Sequence, residues 1–121
     1  MTKRNIVHIE FSSRDLKEST KFYQDLFGWK YEMIPQMNYA TWEAGAPPHG
    51  GFNPPDMSKP GEVLVYIDSD DIEADLKKAK SLGGTIVREK TEIPNIGWFG
   101  VFKDPTGNQV AVYTDMHPEA H

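Results

Sequence analysis

Ile6-Val7-His8-Ile9-Glu10-Phe11 leads through Ser12-Ser13-Arg14-Asp15-Leu16 to a stop at Leu26-Phe27-Gly28. Val63-Leu64-Val65-Tyr66-Ile67 leads in the same way through Asp68-Ser69-Asp70-Asp71-Ile72 to Leu82-Gly83-Gly84. The second stretch is the first displaced by 56 positions: Phe11 falls on Ile67, Asp15 on Asp71, Leu16 on Ile72, Leu26 on Leu82 and Gly28 on Gly84. Within 121 residues such a repeat implies two supersecondary units, each too small to bury its own apolar face unaided. The groove between duplicated halves is then a natural place for a ligand.

Each unit spells out its own elements. Val7, Ile9 and Phe11 alternate with His8, Glu10 and Ser12, the period of a strand with one apolar and one polar face. Asp15, with Glu18 three positions on, has the form of a helix N-cap. Leu16, Thr20, Phe22-Tyr23, Leu26 and Phe27 follow at near-helical spacing, and Gly28 supplies the stop. Strands are expected over 29–33 and 39–43. Four prolines and three glycines within 44–55 leave room there only for a short edge strand near Gly50–Phe52.

Pro60-Gly61 marks the seam between the units. The second unit repeats the plan: a strand at 63–67, a helix from Asp71 with Ile72, Leu76, Ala79 and Leu82 on one stripe, and strands at 85–87, 98–102 and 109–113. The last two strands flank Asp104-Pro105-Thr106-Gly107, where Pro presets φ and Gly accepts a positive one. The fold class is therefore α+β, built of two tandem βαβββ modules in a single domain over 1–121. Module one covers about 1–58, module two about 60–115, and a short C-terminal tail carries His117 and His121, both expected in solvent.

Composition narrows the function. Thirteen Lys and Arg face eighteen Asp and Glu, a net charge of −5, which argues against nucleic acid or an anionic membrane as partner. The absence of cysteine removes disulfides, thiolate catalysis and zinc–sulfur sites, and fits a cytoplasmic setting. Met1-Thr2-Lys3-Arg4 runs directly into a strand pattern and does not read as a signal peptide, and no apolar run reaches the length of a membrane span.

The chain resembles the vicinal oxygen chelate superfamily of glyoxalases, bleomycin-resistance proteins and extradiol dioxygenases. The resemblance is carried by Val7-His8-Ile9 through Asp15, by Phe22-Tyr23 with Leu26-Phe27-Gly28-Trp29, by Asp71 to Gly84, and by Gly100-Val101-Phe102-Lys103-Asp104-Pro105-Thr106-Gly107-Asn108. It implies that the modules form a curved mixed sheet, two half-barrels around a cleft. It also implies a divalent metal held by one ligand from the first and one from the last strand of each module. His8 occupies the first such position. Leu64, Ala111 and the region of Gly51 or Phe52 occupy the other three and offer no donor side chain. No metal or other cofactor is therefore expected, with His8 as the one retained ligand position. A rearranged His8–Glu10–His49 cluster is the chemical alternative.

The remaining pattern points to a pocket. His8, Glu10, Phe52, Tyr66, Trp98 and Tyr113 are the expected ligand-binding residues, with His8 and Glu10 as candidates for catalysis. The expected function is binding of a small organic molecule in the inter-module cleft by a homodimer. The alternatives are a lyase or isomerase of the glyoxalase kind, using a metal or Glu10 as general base, and a non-catalytic interaction domain.

Overall fold

A computed structural model describes residues 3–117. The elements run β1 (Ile6–Ser12), α1 (Leu16–Phe27), β2 (Lys30–Ile34), β3 (Tyr39–Glu43), β4 (Gly50–Asn53), β5 (Val63–Asp68), α2 (Ile72–Ser81), β6 (Thr85–Ile93), β7 (Gly97–Lys103) and β8 (Gln109–Asp115). This is the expected α+β plan of two βαβββ modules. Among the described residues no helix is long and apolar enough to cross a membrane.

The first module has strand order β2-β3-β4-β1. Its pairs are antiparallel except β4 with β1, which α1 and the intervening strands render parallel. Asp15 caps α1 by accepting from the Glu18 amide, and Gly28 ends it at φ 75°. Ala40, Trp42 and Phe52 form the buried core against Phe11, Tyr23 and Trp29. Their rings stack in a chain, Trp29 on Trp42 at 4.4 Å and Phe11 on Trp42 at 5.6 Å.

β4 is not the edge strand its prolines and glycines suggested. It lies between β3 and β1, and its two glycines make that possible. A Cβ at Gly50 would lie 1.8 Å from the Ile9 carbonyl and 2.3 Å from the Trp42 ring, and one at Gly51 would lie 1.9 Å from the Tyr39 hydroxyl.

The second module has the same order, β5-β8-β7-β6, again with its outer members antiparallel and β5 parallel to β8. Asp71 caps α2 through the Ala74 amide. Ile72, Leu76 and Val112 form the core, with Ile67, Phe102 and Trp98 against it. β6 extends six residues beyond the expected 85–87. The added Arg88-Glu89-Lys90-Thr91-Glu92 is a charged, exposed outermost strand interrupted by register shifts, so it lacks the apolar alternation that marks a strand in sequence.

Residues 3–6 belong with the second module rather than the first. Arg4 forms a two-point ion pair with Asp75 at 2.6 and 2.9 Å and donates to the Asp68 carbonyl, while the Asp68 amide donates to Asn5.

Candidate functional site

The polar face of β1 turns inward rather than out. Glu10 is only 6% exposed, an unusual position for a carboxylate, and it must be paired to be tolerated. Register supplies the partners. Glu10 lies opposite Gly51 on β4, and Ser12 opposite Asn53. Because Gly51 has no side chain, the Tyr39 ring crosses it from β3 and its hydroxyl donates to Glu10 Oε2 at 2.7 Å. Asn53 Nδ2 donates to Glu10 Oε1 at 2.9 Å, and Ser58 Oγ fixes the amide by donating to Asn53 Oδ1 at 2.9 Å. His8 Nε2 stands 2.7 Å from the Tyr39 hydroxyl oxygen and 3.3 Å from Glu10 Oε2, with the two rings stacked.

The hydroxyl proton of Tyr39 goes to Glu10, so the tyrosine oxygen accepts and His8 carries its proton on Nε2. Burial pushes the Glu10 carboxyl up. The hydrogen bond and charge of His8, then the bonds from Tyr39 and Asn53, outweigh it and hold the group below the usual glutamate value. The arrangement is a fixed carboxylate that orients a histidine both directly and through a tyrosine. With both oxygens engaged, Glu10 is suited to positioning.

The expected site residues divide between faces. His8 and Glu10 come together as read. Tyr66 shares a face of the second sheet with Ala111, its register partner, and with Tyr113 two positions on. Tyr66 also packs on Phe99, and burial followed by Asp115 raises the Tyr113 phenol to about 12. Phe52 and Trp98 are a correction. Phe52 is 1% exposed within the aromatic core beside Phe11 and Tyr23, and Trp98 packs toward Ile72, Leu76 and Val112 with Lys90 over its ring. Side chains alternate along a strand, so each lies on the helix side, opposite the site face.

His49 also departs from expectation. Its Nδ1 accepts from the Ala44 amide and its carbonyl from the Ile9 amide, which spends it on closing the loop before β4. His117 is exposed, and His121 lies outside the described residues.

The donor set for a family-type metal does not fit these residues. Gly51 is overlaid by Tyr39, Ala111 is fully buried with a methyl group, and Leu64 is aliphatic. Among the described residues no group of three or more His, Cys, Asp or Glu side chains is placed to hold an ion.

Residues 5–112 match the family model of the Glyoxalase/Bleomycin resistance protein/Dioxygenase superfamily. The chain belongs to that superfamily. Among relatives of this superfamily member, "Putative glyoxylase CFP32" of Mycobacterium tuberculosis is 33% identical over 101 residues, covering 80% of this chain and 38% of its own length. The chain thus spans well under half of that relative. A "Glyoxylase-like domain-containing protein" of Didymella fabae is 28% identical over 115 residues, covering 88% of this chain and 90% of its own. The superfamily fold is shared by the solved structure of BH1468 from Bacillus halodurans, with TM-score 0.70, 17% identity and coverage of 93% and 95%.

Tyr39, Asn53 and Ser58 belong to the site and were not read from sequence. Gly50-Gly51 was the available signal, since paired glycines in a strand mark a place where other side chains cross the backbone.

Proposed function

We propose that this superfamily member binds a small organic molecule at the His8–Tyr39 edge of its first module, without a divalent metal. The observation that carries the reading is the buried Glu10 carboxylate, which holds Tyr39 and through it His8 in one orientation. A histidine fixed in this way, its side chain 30% exposed, is a preorganised partner for a carbonyl, enol or carboxylate oxygen. Glu10 serves as a positioning group in this reading. Its two engaged oxygens and lowered pKa disfavour a role as general base.

The test is titration of the chain with catechol and with pyruvate in the presence of a chelator, following the His8 ring protons by NMR. A saturable shift with at least one probe, lost in Tyr39→Phe, is expected. No response to either probe, or a response that appears only after nickel, zinc, manganese or iron(II) is added, overturns the proposal. The same reading includes a homodimer, supported by Phe22, Leu26 and Phe27, each more than half exposed on α1. A monomer by sedimentation at micromolar concentration overturns that part.

A further inference from the structure

A second concave feature lies wholly within the second module, on the helix side of its sheet and away from the face that carries Tyr66. It is a groove of about 430 Å³, within the size range of small-molecule sites. Ile67, Phe102 and Val112 from the sheet form its floor, and Ala79 of α2 with Leu82 just past the helix end form its wall. It follows α2 from Asp75 to Leu82, roughly 10 Å at 1.5 Å per residue.

The internal repeat explains why the groove exists. Ala79 stands where the first module has Tyr23, and Ile67 stands where it has Phe11. Val112 pairs with Ile67 as Phe52 pairs with Phe11. In the first module the Tyr23 ring fills this space, stacked on Phe11 at 5.6 Å and set against Phe52 at 5.6 Å and Trp29 at 5.6 Å. In the second module Tyr23 is replaced by a methyl group and Trp29 by Thr85. The scaffold is kept and an aromatic layer is missing.

Charge around the opening has a sign. The lining carries three cations, Arg4, Lys78 and Lys103, against two carboxylates. Both carboxylates are already committed. Asp75 is held by Arg4 and Ser69, and Asp104 accepts from Thr106 and Asn108 within its own turn. Lys78 and Lys103 line the opening and neither forms a close ion pair among the described residues, although Lys78 also acts at longer range on Asp75.

We propose that this groove is a second binding site, which takes a small aromatic carboxylic acid whose ring replaces the missing aromatic layer and whose carboxylate meets Lys78 and Lys103. The proposal is independent of the His8 site.

Calorimetric titration of the full chain with 2-naphthoate tests it. Saturable one-to-one binding is expected. Ala79→Tyr, which copies the first module's own plug, should weaken binding at least about tenfold. The double variant Lys78→Glu with Lys103→Glu should weaken it about threefold or more. His8→Ala should leave it unchanged, which separates this site from the one on the first module. Absence of saturable binding, unchanged affinity in a folded Ala79→Tyr, or loss of binding in His8→Ala overturns the proposal. If circular dichroism shows that Ala79→Tyr does not fold, the double lysine variant decides: undiminished affinity overturns the site and weakened affinity supports it.

Discussion

The two modules agree bond for bond where strand meets helix and disagree wherever their sheets turn the other way. Ser13 Oγ accepts from the Asp15 amide and contacts Ser19 Oγ at 2.7 Å. Ser69 Oγ accepts from the Asp71 amide at the same 3.2 Å and donates to Asp75 at 2.6 Å. Asp15 and Asp71 each cap the helix that follows. On the opposite face the equivalents are His8 and Leu64, Glu10 and Tyr66, Gly51 and Ala111, Asn53 and Tyr113. Register also pairs Tyr39 with Phe99 as equivalents, so a hydroxyl that binds Glu10 in one module is absent where its counterpart packs on Tyr66 in the other. Duplication preserved the helix start, where geometry leaves few choices, and let the sheet face diverge into one polar and one aromatic surface.

The most forceful way to break the comparison is to take the polar module's charge away. Glu10→Ala takes from the Tyr39 hydroxyl its acceptor and from the buried Asn53 amide its partner, and should cost about 3 kcal/mol in chemical denaturation. A loss below about 1 kcal/mol would mean the network is not holding the module. Gly51→Ala comes next. The new Cβ displaces the Tyr39 hydroxyl, and the resulting loss of its bond to Glu10 should cost about 2 kcal/mol and release the His8 ring. Ala111→Gly, the reciprocal change in the second module, should cost about 1.5 kcal/mol through backbone entropy and the lost buried methyl, and move no histidine resonance.

The shared feature offers a finer test. Ser69→Ala removes a bond to a charged group and should cost about 1.5 kcal/mol, whereas Ser13→Ala removes a neutral one and should cost about 1 kcal/mol. Thermal melting of the pair checks the order. The gentlest probe is pH. The folded Glu10 carboxyl titrates below its ordinary value of about 4.5, so the unfolded chain takes up the proton first on acidification. The contribution is complete above that ordinary value and drains away as pH falls through the folded one. Wild type should therefore lose more stability than Glu10→Gln below about pH 5. Parallel curves would show that Glu10 is not charged and paired in the fold.

The scaffold was legible because it is written locally. The caps Asp15 and Asp71, the stops at Gly28 and Gly83-Gly84, and strand alternation all act over a few residues. The site was half legible. His8 and Glu10 share a face by simple alternation, but Tyr39 reaches them only through the register of β3 on β4, which no local pattern encodes. Phe52 and Trp98 failed for the same reason: an aromatic residue in a strand carries no mark of which face it takes until a neighbouring strand settles the parity. β6 was read short because charge spacing along an outer strand resembles that of a loop.

Arg4 carries a consequence for how this chain can be divided. It reaches Asp75, 71 positions along, although it precedes β1 and the whole of the first module. Cutting at Pro60-Gly61 would therefore not yield two self-sufficient halves. The leading fragment would carry away a basic latch that belongs to the trailing one. During synthesis that latch must likewise wait, unmatched, until the second helix has emerged. Complementation between such fragments should depend on Arg4 more than its exposed position implies.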